Sequence, residues 1–372
     1  MFDTSRRRML QALGIGGMAS VAGCAGAPQT ESDPPSTGSA PVQTDTGTPA
    51  PKQTDVDSVA ADPADLPDPV DRDSPATVEV DLEVREVTAE VEPGVTFDYM
   101  TFNGTVPGPM VRVRRGDTVE LTVRNPEGNG MPHNVDFHAA YGTGGGAEAT
   151  GVNPGEQNKL KFQARYPGAF IYHCAVPNLD YHISAGMFGM ILVEPEDGLE
   201  EVDREFYLGQ HELYTDKATG EEGHHGFDFQ AMAAEEPTYV LLNGEKYAYA
   251  AARYGPLEAE VGETVRVFLV DGGPNVTSNF HPIGNVWTKA WPNGAVAGDP
   301  DRFAQTMKVA PGSCFVGDME LPVTERIKLV DHALSRVARK GLLAEIDVAG
   351  PENEELYDPD FGGSRHDDPM YS

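Results

Sequence analysis

Four residues in two stretches of the chain have the side chains of a copper site. Cys174, His182 and Met187 lie within the stretch YHCAVPNLDYHISAGM, and His133 opens the earlier stretch HNVDFH. One thiolate, two imidazoles and one thioether form the ligand set of blue-copper electron-transfer sites. The types and spacing of these residues therefore predict that the four bind one copper ion of this kind.

Each stretch also contains a second histidine, which faces the other side of its strand. Successive side chains of an extended strand point to opposite faces, so His173 faces away from the metal that Cys174 faces. His138 stands five residues after His133 and is separated from it by the same rule. The two remaining histidines predict a second metal centre, joined to the first through a single peptide link.

Short runs of alternating apolar and polar residues surround these stretches. Residues 78–84 alternate with a period of two, and shorter apolar runs recur up to residue 193 between Gly, Pro and Asn turns. This pattern is typical of half-buried strands, and many short strands indicate a β-sandwich or barrel over residues 75–197. Residues 198–350 repeat the elements FNG and RGDTV as LNG and VGETV, which predicts a second domain of the same kind. An acidic tail, residues 351–372, follows it.

The charge balance limits the classes of partner. The chain of 372 residues has 59 acidic and 27 basic side chains, for a formal net charge of −32. This balance argues against nucleic-acid binding, because a phosphate backbone attracts Lys and Arg. So acidic a surface favours a protein that works in concentrated salt, where its self-repulsion is screened. The three cysteines, Cys24, Cys174 and Cys314, imply no disulfide framework.

The first 24 residues have the pattern of an export signal. An arginine pair at residues 6–7 precedes a short apolar run, which is typical of the twin-arginine pathway. Small residues directly before Cys24 resemble a lipobox, so we expect an extracytoplasmic protein anchored to the outer face of the membrane through a lipid on Cys24. The alternative is an ordinary signal peptide with an incidental cysteine. Residues 25–74 have almost no large apolar side chains, which predicts a disordered linker.

The stretch FNGTVPGP at residue 102, with HNVDFH and YHCAVPNLDYHISAGM, resembles the copper-containing nitrite reductases, here with a haloarchaeal-like acidic composition. The resemblance implies an all-β fold of two tandem cupredoxin domains, which are Greek-key β-sandwiches or barrels. It assigns His133, Cys174, His182 and Met187 to a type 1 copper. It assigns His138 and His173 to a type 2 copper whose third ligand is His332, supplied across a subunit boundary of a homotrimer.

The same resemblance implies three residues around the substrate. Asp136 matches the proton-handling aspartate of the family, His281 matches the second catalytic residue, and Ile283 would shape the pocket beside it. Two segments depart from many relatives: the loop from Cys174 to His182 is one residue shorter, and Asn-Val-Trp at residues 285–287 replaces a Gly-His pair.

The implied activity is the reduction of nitrite to nitric oxide and water in denitrification, with one electron and two protons. The electron would come from a small blue copper protein of the halocyanin or azurin type, or from a cytochrome c, and would pass from Cys174 to His173. A laccase-like multicopper oxidase is one alternative, but no His-x-His pair occurs and position 175 is alanine. A type 1 electron carrier is the other, although it has no use for a second domain.

Five further residues have weaker patterns. His224 and His225 lie in a loop rich in Gly and Glu, and we expect both at the surface, together with His366 in the acidic tail. Cys314 lies in an apolar strand run, where a small buried hydrophobe is expected. His211 stays unassigned.

Overall fold

A computed structural model of the chain describes residues 54–361, and these residues all belong to one compact unit. The predicted export signal, Cys24, the first part of the predicted linker and His366 lie outside the described residues. Over the range 54–361, no helix is long and apolar enough to cross a membrane.

The first half of the described chain consists of short strands and one short helix, as the alternating pattern predicts. Its elements are β1 Thr54–Asp55, β2 Thr77–Glu92, β3 Val95–Phe102, β4 Val111–Arg114, β5 Thr118–Arg124, β6 Asp136–Phe137, β7 Gln157–Gln163, β8 Gly168–His173, α1 Leu179–Ser184 and β9 Phe188–Glu194. One sheet contains β3, β2, β5 and β7 in that order, with β1 paired to β2. The other has the order β4-β9-β8-β6, and it holds the strands next to both predicted metal centres.

The second half repeats this arrangement with two more sheets. Its elements are β10 Arg204–Leu213, β11 Gly223–His225, α2 Phe229–Ala233, β12 Tyr239–Leu242, β13 Leu257–Glu260, β14 Thr264–Gly273, β15 Ser278–Ile283, β16 Trp287–Trp291, β17 Asp301–Ala304, β18 Met307–Val309, β19 Ser313–Glu320, β20 Glu325–Asp331, α3 Ser335–Lys340 and β21 Ala344–Ala349. One sheet has the order β12-β10-β14-β19-β16-β17, and the other β13-β21-β20-β15-β18. The exception is β11, which pairs in parallel with β3 of the first half.

Three strands of the second half are buried on both faces. In β14, Val267 belongs to the apolar core of the second half, while its neighbour Phe268 belongs to the core of the first. In β19, Phe315 belongs to the core of the second half and its neighbour Val316 to the core of the first. Because successive side chains of a strand face opposite sides, β10, β14 and β19 form a layer shared by both cores. The second half therefore packs directly behind the sheet of the first metal centre.

The predicted boundary at residues 197 and 198 falls between β9 and β10. The described residues nevertheless form a single compact unit, so the division into two domains at this point stays a prediction.

The expectation of a disordered linker is wrong for residues 54–74. Val59 is fully buried, and Ser58 Oγ donates a hydrogen bond of 2.6 Å to Glu245 in the second half. The carbonyl of Pro67 accepts from Arg112 Nη1 at 2.9 Å in the first half. This segment has no core of its own. Its backbone groups and the buried Val59 instead contact both halves. Composition alone cannot reveal such partners.

Candidate metal centres

Three of the four predicted type 1 ligands converge in the buried interior. The Nδ1 atoms of His133 and His182 lie 3.2 Å apart. Cys174 Sγ lies 3.8 Å from Nδ1 of His133 and 3.6 Å from Nδ1 of His182. All three side chains are almost fully excluded from solvent. Three donor atoms so close together fit a single metal ion.

The loop from Cys174 to Met187, called the copper loop below, is closed by its own backbone. Cys174 directly follows β8, and its N–H donates to the carbonyl of Met187 at 3.1 Å. The N–H of Met187 in turn donates to the carbonyl of His182 at 3.0 Å. Met187 is fully buried. The fourth predicted ligand is thus held by backbone hydrogen bonds beside the other three.

The surroundings of Cys174 favour its thiolate. Burial by itself raises the pKa of this thiol, but hydrogen bonds and charge from His133 and His182 outweigh burial and lower the pKa to about 5. A thiolate is the form that binds copper. The Oδ1 atom of Asn134 accepts from the N–H of Ala175 at 2.7 Å and holds the chain directly after the cysteine.

The sequence analysis missed Glu86, which holds His133 from behind. Its Oε1 atom lies 2.9 Å from Nε2 of His133, and the carboxylate also accepts from the N–H groups of Gly130 and Met131 at 2.7 and 2.9 Å. Because a carboxylate only accepts, Nε2 carries the proton and Nδ1 remains free for a metal. A signal existed: Leu82, Val84 and Glu86 occupy alternate inward positions of β2, and a buried glutamate needs a partner.

The second predicted centre lies on the opposite side of the same strand. The Nε2 atoms of His138 and His173 are 3.1 Å apart, and Asp136 lies opposite His173 in the pairing of β6 with β8. Ligand atoms of all three lie within 4.8 Å of one another. Partial desolvation of its ring lowers the pKa of His138, although the residue is partly exposed, and the neighbouring His173 lowers it further. Both effects favour a neutral imidazole, which is the form that binds a metal.

A glycine loop lies directly over this centre. Gly145 has a φ of 54°, and a Cβ atom there would overlap Asp136 Oδ1. Only a residue without a side chain allows the loop to approach the carboxylate so closely. Sequence analysis had not singled out this glycine, because three of them occur in a row.

The second half brings His281 and His332 together. His281 lies opposite Val330 in the pairing of β15 with β20, and His332 is two residues beyond Val330, hence on the same face. The two rings lie 5.4 Å apart. His281 Nδ1 donates to the carbonyl of Gln305 at 2.6 Å, a contact that sequence analysis missed, so Nε2 has a free lone pair. Ile283 is 39% exposed on the same strand.

Within one chain, His332 does not join the first-half histidines. Over residues 54–361, two groups of His, Cys, Asp or Glu have metal-binding geometry: His133 with Cys174 and His182, and Asp136 with His138 and His173. His332 and His138 are both exposed in the single chain. The second centre is therefore incomplete as a three-imidazole site in one subunit.

Three of the weaker expectations can be compared with the structure. Cys314 is buried in the core, as expected, whereas His225 is fully buried and the expectation of a surface residue is wrong. Its Nε2 donates to the carbonyl of Glu221 at 2.7 Å. The residue is buried because β11 pairs in parallel with β3. His224 is half exposed and lies 3.4 Å from Asp98. His211 is fully buried.

Comparison with known proteins matches a family model and several copper-containing nitrite reductases. The multicopper oxidase family model matches residues 83–198. A copper-containing nitrite reductase of Neisseria meningitidis serogroup B is 43% identical over 301 residues, which cover 81% of this chain and 76% of that protein. The copper-containing nitrite reductase of Alcaligenes xylosoxydans xylosoxydans is 34% identical over 294 residues, covering 74% and 87% of the two chains.

Solved structures agree with these matches. The copper nitrite reductase from Nitrosomonas europaea superimposes with a TM-score of 0.67 at 34% identity and covers 75% of this chain and 96% of its own. A multicopper oxidase structure at 22% identity, with a TM-score of 0.62, shares the fold only. The predicted all-β fold of two tandem cupredoxin domains is confirmed, and the donor sets of the two clusters fit copper. The chain belongs to the family of copper-containing nitrite reductases.

Proposed function

We propose that the protein reduces nitrite to nitric oxide and water, consuming one electron and two protons, with one type 1 and one type 2 copper per chain. The observation that carries this proposal is the placement of two donor clusters on consecutive residues, because Cys174 belongs to one cluster and His173 to the other. An electron carrier needs the first cluster alone. The second cluster, with a carboxylate beside two imidazoles, supplies a place for proton-coupled chemistry.

Each copper would be held by a separate set of residues. His133, Cys174, His182 and Met187 would hold the type 1 ion. His138 and His173, together with His332 of a neighbouring subunit, would hold the type 2 ion. When bound, copper supplies the one-electron redox change and a Lewis acid for the oxygens of nitrite.

The chain's own residues would manage the two protons. Asp136 lies beside the converging Nε2 atoms of the first-half histidines and can pass a proton to the oxygen that leaves as water. In the proposed assembly, His281 would reach this space with the second half of a neighbouring subunit. Its hydrogen bond from Nδ1 to the carbonyl of Gln305 orients the ring and leaves Nε2 available. Ile283, partly exposed beside it, would limit the size of the bound anion.

We propose a homotrimer in which the second half of one subunit completes the site of the next. His332 and His138 are both exposed, and each belongs to a set of donors that is incomplete within one chain. A head-to-tail contact between subunits closes as a ring when its rotation fits, and every interface of that ring then contains one complete site. The exposed positions of Ile283 and Leu334, 39% and 50%, support an interface on this face.

The electron donor would dock beside His182. Leu179 is 47% exposed and lies in α1, the helix that contains Tyr181. Phe229 is 45% exposed, and its ring packs next to that of Tyr181. Tyr181 in turn packs against His182 at a ring distance of 5.7 Å. An apolar patch this near a metal ligand suits a transient redox partner, either a small blue copper protein of the halocyanin or azurin type or a cytochrome c.

Location remains part of the proposal. We propose export through the twin-arginine pathway and attachment to the outer face of the membrane through a lipid on Cys24, a residue outside the described range. The support is the sequence pattern of the first 24 residues. The acidic composition supports work in concentrated salt.

The decisive experiment combines copper quantitation with nitrite turnover on the purified, copper-loaded protein. The proposal expects about two copper ions per chain and nitric oxide formation with a reduced donor. Four copper ions with reduction of dioxygen would instead indicate a laccase-like oxidase. One copper ion without turnover would indicate an electron carrier.

A further inference from the structure

His211 has no part in the proposed reaction, although it is buried against the copper loop. It lies on β10 of the second half and is completely excluded from solvent. Its Nδ1 atom lies 2.8 Å from the carbonyl oxygen of Ser184. Ser184 is the last residue of α1, two residues after His182 and three before Met187. The histidine thus contacts the segment between two ligands of the type 1 copper.

The hydrogen bond runs in one direction only. A carbonyl oxygen accepts, so the proton lies on Nδ1 of His211, and Nε2 has a bare lone pair. That nitrogen has no hydrogen-bond partner among the described residues. Burial lowers the pKa of His211 to about 4, which keeps the ring neutral near pH 7. A neutral imidazole can be buried here because its one N–H donor is hydrogen-bonded and the ring carries no charge that would need solvation.

A second hydrogen bond returns from the copper loop to the same strand. Ser184 Oγ donates to the backbone carbonyl of Glu212 at 2.6 Å. The side chain of Glu212 accepts from the N–H of Asn275 at 3.1 Å and from that of Val276, so it ties β10 to the turn after β14. Ser184 is therefore held by both its carbonyl and its hydroxyl, and both partners belong to β10, a strand paired on both sides with β12 and β14.

Aromatic packing holds the other end of the same segment. The ring of Phe188, directly after Met187, lies 5.7 Å from the ring of His211. A Cβ atom at Gly272 of β14 would lie only 2.8 Å from the Phe188 ring, so the strand passes very close to it. One side of residues 184–188 thus packs against the second half, with Met187 between the two contacts, while the N–H of Met100 in the first half donates to the carbonyl of Ala185 at 3.0 Å.

From these contacts we infer that His211 is a positioning residue for the type 1 copper. Its hydrogen bond to Ser184 fixes the segment that presents His182 and Met187, and through it the second domain sets the geometry of a metal site in the first. The thioether is the weak, long ligand of such sites, and small displacements of it change both colour and reduction potential. The part of this inference that concerns copper rests on the proposed function.

The test compares three variants of the full-length, copper-loaded protein. His211→Leu keeps a similar volume but removes the donor. His211→Asn keeps a donor, because Nδ2 of asparagine lies near the position of Nδ1. His225→Leu is the matched control, since it removes a second buried histidine whose ring bonds with Thr215 and Glu221 and not with the copper loop.

Three measurements distinguish positioning from general stability: amide hydrogen exchange of residues 179–190, the visible absorption spectrum, and the reduction potential of the type 1 copper. For His211→Leu we expect exchange in this segment to become about tenfold faster or more, together with altered intensities of the visible bands and a shifted potential. His211→Asn should restore most of all three. His225→Leu should leave the spectrum and the potential unchanged.

Several results would overturn the inference. One is a His211→Leu protein with the exchange, spectrum and potential of the parent. Another is faster exchange without a change in spectrum or potential, since the hydrogen bond from His211 to Ser184 would then hold the segment without positioning the ligands. If His211→Leu does not fold, His211→Gln replaces it, because its longer amide cannot occupy the position of Nδ1; equal spectra for the Asn and Gln variants then contradict the inference. A parent protein without visible colour would refute the proposed copper site. Hydrogen exchange would still test whether His211 holds residues 179–190.

Discussion

Nδ1 of His173 lies 2.9 Å from the carbonyl oxygen of Cys174, the residue that follows it in the chain. The thiol of Cys174 faces His133 and His182, whereas Nε2 of His173 faces His138. Two consecutive residues thus connect two donor clusters by covalent bonds and by one hydrogen bond. This link keeps the orientation of the His173 ring fixed relative to the copper loop.

Replacing Cys174 by alanine should separate the two centres. We expect Cys174→Ala to abolish the strong visible absorption, because the thiolate is the ligand responsible for the colour of such sites. Copper at the second cluster should remain, since His138 and His173 are untouched. Visible spectroscopy and EPR check this result, the latter through a remaining type 2 signal. A variant that kept its colour would remove Cys174 from the metal site.

Asp136→Asn should impair catalysis without loss of copper. The amide is close in shape to the carboxylate but cannot deliver a proton, so turnover should fall by roughly two or more orders of magnitude. Nitrite turnover across pH and copper content are the measurements. Asp65→Asn, a change of an exposed aspartate in the segment before β2, is the control. Near-normal turnover of Asp136→Asn at every pH would count against a role in proton delivery.

The proposed site between subunits predicts complementation. His332→Ala should lose type 2 copper and activity but keep the type 1 colour, and His138→Ala should do the same. Mixing the two variant chains should restore part of the activity, because some interfaces then combine an intact first half with an intact second half. Turnover after subunit exchange, with native mass measurement, tests this. A mixture that stays inactive despite proven exchange, or a fully active monomer, would refute the cross-subunit site.

Glu325 predicts a dependence of stability on pH. Its carboxylate occupies the space beside Gly284, and partial burial raises its pKa from 4.5 to about 7. The folded chain therefore binds this proton more tightly than the unfolded chain. The resulting stabilisation is complete below about pH 4.5 and is lost as the pH rises through about 7.

Glu325→Gln imitates the neutral acid, so its advantage over the parent should appear only at high pH. At pH 8 we expect the free energy of unfolding to rise by on the order of 1 kcal/mol, after allowance for solvent screening of a half-buried group, and at pH 5 to change little. Denaturant unfolding at both pH values measures the difference. Glu258→Gln, at an exposed position of β13, is the control. Equal effects of Glu325→Gln at both pH values would contradict the assignment.

The amino-acid sequence by itself predicted the donors and their division into two centres, and the structure brings the two predicted clusters together. His133, Cys174, His182 and Met187 are recognisable because a blue-copper site needs an unusual combination of side chains within short stretches. The opposite directions of Cys174 and His173 follow from strand geometry, which is a local property of the backbone.

Only the tertiary structure decided which residues support those donors. Glu86 is 47 residues from His133, and His211 is 27 residues from Ser184. Such pairs meet because particular strands lie side by side, and no local pattern specifies which strands those are. The packing of residues 54–74 against both halves has the same origin, since its partners are backbone groups and side chains far along the chain. Local patterns thus predicted the ligands, while long-range packing decided which residues hold the predicted ligands and in which orientation.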